Sequence, residues 1–121
     1  MADLIQIKGL HLRTIIGVGD EERRDRQDVM IDIDLQTDTR TSARSDDLED
    51  SVDYRALTKR IIALVEGSNF HLVEKLASEI ASLCLKDRRV KRARITVEKP
   101  LALRFARSVG VTVERERLNV R

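Results

Sequence analysis

The strongest constraint on the fold is a two-residue alternation of apolar and polar side chains in separate parts of the chain. Residues 29–36 follow it with Met30 as the one exception, and residues 93–98 follow it again much later in the sequence. Alternation of this kind is typical of a β-strand with one buried face. Shorter alternating runs lie within residues 4–16 and 109–113. The sequence therefore predicts four strands, two on each side of a central region with a different period.

The first strand changes phase at Gly9. Ile5 and Ile7 share one face, whereas beyond Gly9 the apolar positions are Leu10 and Leu12. One extra residue in a paired strand produces such a slip, and glycine is common at the extra position. We therefore predict a β-bulge at Gly9.

The central region has the period of two amphipathic helices. Apolar residues recur there at three- and four-residue spacing, first at Tyr54, Leu57, Ile61, Leu64 and Val65 and then at Leu72, Val73, Leu76, Ile80 and Leu83. Ser51 or Asp53 is suited to cap the first helix, and Gly67 to end it. The segments 17–26 and 37–50 have no such period, and we predict loops there.

The resulting order ββααββ predicts an α+β fold, in which both helices cover one face of an antiparallel sheet. The 121 residues fit a single domain, residues 1–121. A sheet of this kind leaves two open edge strands, and such edges tend to pair with other chains. We therefore predict that copies of the chain join edge to edge and close a ring.

Composition excludes several classes of protein. The net charge is +2 and aromatic residues make up 2% of the chain, so we expect no nucleic-acid partner. No apolar run approaches the roughly 18 residues of a membrane span, and Cys84 has no partner for an internal disulfide. His11 and His71 lack partners at metal-ligand spacing, so we expect no metal site. These features predict a cytoplasmic protein.

Lys99 is the residue whose pattern most suggests chemistry. Counting by two along the third predicted strand, Lys99 continues the apolar row of Ala93, Ile95 and Val97, and Pro100 then closes the strand. A lysine that is partly withdrawn from water can exchange protons near neutrality. The alternative is that the strand has already ended and that Lys99 extends into solvent.

Three further candidates look ordinary by themselves. Glu74 would begin the second helix. There its negative charge either interacts favourably with the helix dipole or accepts paired N–H bonds from the amidine-like edge of a ligand. Glu21 and Glu22 lie in a glycine-bearing loop and are either solvated or functional. Tyr54 begins the first helix on its apolar side and is either a core residue or a site residue.

These residues lie in stretches that together resemble the dihydroneopterin aldolase family of folate biosynthesis. The matching stretches are IGV at 16–18, EER at 21–23, SDDL at 45–48, VDY at 52–54, FHLVEKLA at 70–77, VEKP at 97–100, VGV at 109–111 and ER at 114–115. They span nearly the whole chain in the family's order. The resemblance implies a T-fold, in which four ββααββ subunits form a ring and two rings commonly stack into a homo-octamer.

The resemblance also implies roles for individual residues at a site between neighbouring subunits. Glu74 would anchor the amino-pyrimidinone edge of a pterin, together with the backbone of Val73. Glu22 would hold the trihydroxypropyl side chain of the substrate. Tyr54, reaching in from the adjacent subunit, would assist proton transfer, and Lys99 would be the general acid and base.

The implied reaction is that of an aldehyde-lyase on the route to tetrahydrofolate. Retro-aldol cleavage would convert 7,8-dihydroneopterin into 6-hydroxymethyl-7,8-dihydropterin and glycolaldehyde. Because the C=N bond of the dihydropterin ring is itself the electron sink, we expect neither a cofactor nor a metal.

A second branch of the same superfamily provides an alternative. LRT at 12–14, RQDV at 26–29 and LALRFA at 101–106 resemble the dihydroneopterin triphosphate 2'-epimerases, which are isomerases, and Arg104 and Arg107 suit a triphosphate. Lys99-Pro100 and the tail with Gly110 favour the aldolase. A less favoured alternative is a T-fold protein that binds a pterin or purine without catalysis.

Overall fold

The computed structural model describes residues 3–117 and contains one four-stranded antiparallel sheet with strand order β1-β2-β3-β4. The strands are β1 (Asp3–Thr14), β2 (Gln27–Thr37), β3 (Arg92–Pro100) and β4 (Ser108–Glu116). The helices are α1 (Asp20–Arg24), α2 (Arg40–Ser45), α3 (Tyr54–Glu66) and α4 (Val73–Cys84), and Leu48–Asp50 forms a 3₁₀ turn. The predicted four strands and two long helices are confirmed.

The core lies between one face of the sheet and the helices α3 and α4. The apolar inward residues of β2 and β3 are fully buried, among them Ile31, Ile33 and Ile95. Ile61 from α3 and Ile80 from α4 are fully buried as well and belong to the same cluster. Each large aliphatic side chain buried in this way contributes about 1.5–3 kcal/mol. The prediction that both helices cover the same face of the sheet is thus confirmed.

The predicted bulge in β1 is confirmed at Gly9. Ile7 pairs with Ile33 and Leu10 pairs with Ile31, so two residues of β1 oppose one residue of β2. Gly9 has φ of 66°, and its amide donates to Oδ1 of Asp32 at 2.7 Å. The left-handed backbone explains the glycine.

The two segments predicted to be loops contain short helices. Residues 17–26 include α1, and residues 37–50 include α2 and the 3₁₀ turn. Neither α1 nor α2 buries a residue. Because helical periodicity in a sequence reflects a buried face, these helices left no such signal.

The strands β1 and β4 form the two edges of the sheet. This agrees with the edge strands inferred from the element order, and the closure of a ring by neighbouring copies stays a prediction. Within residues 3–117, no helix combines the length and the apolar character that crossing a bilayer requires.

Asp53 is the cap of α3, because its carboxylate accepts a hydrogen bond from the amide of Ala56 at 3.0 Å. We expect Asp53→Ala to lower the free energy of unfolding by about 0.5–2 kcal/mol, since a helix-terminal amide loses its partner. Urea denaturation would measure this. Glu66→Ala, at the exposed C-terminal end of the same helix, is the control, and an equal loss in both variants would contradict the capping role.

Candidate active site

Lys99 lies on the inner face of the sheet, at the end of β3. It continues the row of Ala93, Ile95 and Val97 and is only 8% exposed. Of the two alternatives left open by the sequence, the solvated lysine is therefore wrong. A charge withdrawn from water needs a partner, and the Nζ of Lys99 donates to Oε2 of Glu22 at 2.5 Å.

Glu22 reaches this lysine from α1 and is held by two further donors. The side-chain amide of Gln27 donates to Oε2 at 3.0 Å, and the backbone amide of Gly19 donates to Oε1 at 3.3 Å. The hydrogen bond from Lys99, followed by that from Gln27, lowers the pKa of Glu22 to about 2. Glu22 is therefore ionised at neutral pH. Its neighbour Glu21 is exposed, so Glu22 is the inward carboxylate of the two.

The loop before α1 is shaped around this carboxylate. Gly17 has φ of +124°, and a Cβ placed on it would lie 2.3 Å from Cδ of Glu22. Only a residue without a side chain allows the carboxylate to lie there. Gln27 ties the same loop to β2, because its side-chain amide also donates to the carbonyl of Ile16 at 2.5 Å.

Arg23 joins this loop to the segment that precedes α4. Its Nη1 donates to the carbonyls of Gly17 at 3.0 Å and Phe70 at 3.1 Å, and its Nη2 donates to the carbonyl of Asn69 at 2.6 Å. The amide of Gly17 also donates to the carbonyl of Phe70, at 3.3 Å. An open groove runs along this junction and is lined by Arg23, Asn69, Phe70, His71, Leu72 and Lys75.

The other predicted site residues lie at the beginnings of the two long helices. Val73 and Glu74 are the first two residues of α4, and the Glu74 side chain is exposed. Tyr54 is the first residue of α3 and is 56% exposed. The other end of α3 approaches the site, because Thr14 donates to the carbonyl of Val65 at 2.6 Å. At 1.5 Å per residue, Tyr54 lies about 16 Å from Val65 along the helix.

The structure thus brings Glu22 and Lys99 into direct contact and links the start of α4 to them through Arg23. Within one chain it leaves Tyr54 apart from them.

Sequence reasoning missed Gly17, Arg23 and Gln27 as supports of the pair. Glycine in a charged loop was a usable signal for Gly17, whereas nothing in the local pattern singles out Arg23 or Gln27.

No group of three or more His, Cys, Asp or Glu side chains within residues 3–117 is arranged to hold a metal ion. Cys84 is fully buried in α4, and this burial raises the pKa of its thiol to about 12. The cysteine is therefore protonated at neutral pH and belongs to the core.

Comparison with known proteins identifies the family of the chain. The family model described as "FolB: Dihydroneopterin aldolase" matches residues 5–114. The chain belongs to this family. Its ββααββ unit is a T-fold, as predicted from the resemblance. A solved structure of this family, Escherichia coli dihydroneopterin aldolase in complex with neopterin, superposes with a TM-score of 0.89 at 38% identity, covering 93% of this chain and 98% of that chain.

Relatives within the family carry two different names. A dihydroneopterin triphosphate 2'-epimerase of Pseudomonas aeruginosa is 39% identical over 109 residues, which cover 90% of this chain and 89% of that protein. A dihydroneopterin aldolase of Escherichia coli K12 is 38% identical over 113 residues, which cover 93% of each protein. The chain is therefore an enzyme of the dihydroneopterin aldolase family, and overall similarity favours neither reaction.

Gly17→Ala is expected to displace the Glu22 carboxylate and to impose an unfavourable backbone conformation, which costs about 1–3 kcal/mol. The pKa of Glu22 should then rise from about 2 towards 4.5, as NMR titration of the side chain would measure. Gly19→Ala is the matched control, since its Cβ would lie 3.5 Å from Oε1 of Glu22 and its φ is −69°. A Glu22 pKa that stays near 2 in Gly17→Ala would contradict this account.

The pair should also make stability depend on pH. Because folding lowers the pKa of Glu22 from 4.5 to about 2, the stabilisation is complete above pH 4.5 and is lost as the pH falls towards 2. We expect Glu22→Gln to be less stable near neutrality by about 1–3 kcal/mol, because Lys99 keeps a buried donor without its anion.

Denaturation curves of wild type and Glu22→Gln across this pH range would measure the difference, which should shrink below pH 4.5. Glu21→Gln serves as the control on the exposed neighbour. A difference that is constant down to the lowest pH would show that the contact is not an ion pair in solution.

Proposed function

We propose that this chain is a dihydroneopterin aldolase, which cleaves 7,8-dihydroneopterin into 6-hydroxymethyl-7,8-dihydropterin and glycolaldehyde. The observation that carries the proposal is the contact between Lys99 and Glu22 on the inner face of the sheet. The ammonium of Lys99 is shielded from bulk water, while the Glu22 side chain is 34% exposed and therefore open to a ligand.

The proposed reaction needs one proton carrier and the substrate's own C=N bond. Lys99 donates a proton to the ring nitrogen of that bond and then accepts the proton of the 2'-hydroxyl. The C1'–C2' bond breaks, its electron pair forms an enamine with the ring, and glycolaldehyde leaves. Lys99 returns a proton to C1' and takes back the proton on the ring nitrogen, so that the enzyme is regenerated. General acid–base catalysis of this kind contributes about 10²–10⁴-fold.

Glu22 has a separate role in this proposal. Its ionised carboxylate keeps the proton carrier in place and offers its solvent-exposed side to the hydroxyls of the substrate side chain. Charged acceptors form the stronger class of hydrogen bonds, which favours one orientation of the reacting carbons.

The start of α4 provides the proposed pterin anchor. Glu74 is exposed and lies in the first turn of the helix, so its carboxylate is free to accept paired N–H bonds from the ring. The backbone of Val73 would contact the same edge. Tyr54 is too far along α3 to serve this site from the same chain, and we assign it to the site of an adjacent copy in a ring-shaped tetramer or octamer.

The second candidate is the triphosphate 2'-epimerase, in which the fragment re-adds to the enamine with inverted configuration at C2'. The loop between β3 and β4 favours it, because Arg104 and Arg107 follow shortly after Lys99 and are exposed. The loop is closed by a hydrogen bond from the amide of Leu101 to the carbonyl of Arg107 at 3.0 Å. Arginine is well suited to bind phosphate oxygens.

Product analysis separates these candidates. Purified protein would be incubated with 7,8-dihydroneopterin and, separately, with its triphosphate, and both glycolaldehyde and the 2'-epimer would be measured. Glycolaldehyde release at many turnovers supports the aldolase. The epimer alone supports the second candidate, and tight pterin binding with neither product would leave a protein that binds without catalysis.

Lys99→Ala should lower the rate of glycolaldehyde release by about 10²–10⁴-fold, because the proton carrier is lost. Pterin affinity, measured from pterin fluorescence, should change little because the proposed anchor is intact. Lys91→Ala removes a lysine that is exposed just before β3, and it should keep full activity. Turnover that survives in Lys99→Ala would assign proton transfer to another group.

A further inference from the structure

We propose that Arg23 is a positioning residue that fixes the pterin anchor at the start of α4 relative to the Glu22–Lys99 pair. The inference rests on the proposed function, because the two halves of the site have to be held at a defined separation for the reaction. Its structural part, the link between the two halves, can be measured without turnover.

Arg23 lies in a helix of only five residues, yet its side chain bonds to distant parts of the chain. One guanidinium donates to three backbone carbonyls, those of Gly17, Asn69 and Phe70, at 2.6–3.1 Å. These carbonyls belong to two segments that are about fifty residues apart in the chain. The planar fork of arginine is suited to hold several acceptors at once, which a lysine ammonium on a flexible chain does less well.

One side of this link leads to the proton-transfer pair. Gly17 lies against the carboxylate of Glu22, so closely that a methyl group would overlap it. A shift of the Gly17 carbonyl would therefore move the surface on which Glu22 rests. Since Glu22 is bonded to Lys99, the position of the pair depends on this loop.

The other side leads to the anchor. Leu72 follows Phe70 by two residues, and its carbonyl accepts bonds from the amides of Lys75 at 3.1 Å and Leu76 at 3.3 Å. These bonds form the first turn of α4, which carries Val73 and Glu74. The carbonyl of Phe70 that Arg23 holds is thus two residues along the chain from the first turn of the helix.

The rest of α4 does not need Arg23 in order to pack. Leu76, Ala77 and Ile80 are fully buried against the sheet, so the helix remains docked when the link is lost. The loss is then confined to the junction of loop and helix. A misplacement of about 1 Å between reacting groups can lower a rate about 10²-fold, so a small displacement is sufficient for a large effect.

The test compares Arg23→Ala with Arg24→Ala. Arg24 is the next residue of the same helix, is exposed, and donates no side-chain hydrogen bond to any residue of the range 3–117. We expect Arg23→Ala to lower kcat for glycolaldehyde release about 10- to 100-fold, with a smaller change in the affinity for neopterin. Arg23→Lys should recover part of the rate, and millimolar guanidinium should restore activity to Arg23→Ala but leave Arg24→Ala unchanged.

Amide hydrogen exchange measures the link itself. In Arg23→Ala, exchange should accelerate at Gly17 and at Lys75 together, whereas the buried turns of α4 should keep their protection. Unchanged exchange at either amide overturns the inference, as does a kcat within twofold of wild type. If wild-type protein releases no glycolaldehyde, the proposed function fails, and the exchange experiment alone then decides whether Arg23 couples the two segments.

Discussion

The site depends on one lysine that the sheet directs inwards. Lys99 occupies a position that the alternation of β3 assigns to an apolar residue, and it is 8% exposed. A buried ammonium without an anion is strongly unfavourable, so the fold has to deliver a carboxylate to that point. The surrounding loop meets this requirement with Glu22, with a glycine that leaves room for it, and with donors that keep it ionised.

The scaffold places Glu22 beside Lys99 at the end of the sheet where both β1 and β3 end. Thr14 is buried at the end of β1 and donates to the carbonyl of Val65 in the last turn of α3, so the loop that follows starts from a fixed point. From there the loop passes under Glu22 and reaches β2 through Gln27. Glu22 lies in a short connection between β1 and β2, yet three elements of the core determine where that connection runs.

A feature of the fold or the candidate site could be predicted from the sequence where burial of one face leaves a periodic pattern of apolar residues. The four strands, the two long helices and the bulge at Gly9 all follow from spacing, because each concerns the buried face, whereas the spacing left Lys99 open between an inward and a solvated position. The short helices α1 and α2 bury no residue and left no pattern. Contacts between distant segments, such as Arg23 with the carbonyl of Phe70, depend on tertiary structure and have no local signature. The roles of Glu22, Tyr54 and Glu74 came from the family resemblance alone.

The bulge at Gly9 determines where β1 can lose a residue without turning its buried face outwards. The residues before it and after it face the core on opposite phases, and the single extra residue reconciles them. Removing Gly9 would place Lys8 opposite Asp32 and Leu10 opposite Ile31 in an unbroken ladder, so Leu12 and Thr14 would still face the core. A single deletion elsewhere in β1 would instead turn the residues on one side of the deletion to the opposite face of the sheet. The strand that leads into the Glu22 loop thus tolerates the loss of one residue at the bulge, whereas the loss of one residue between Leu10 and Thr14 would disturb the start of that loop.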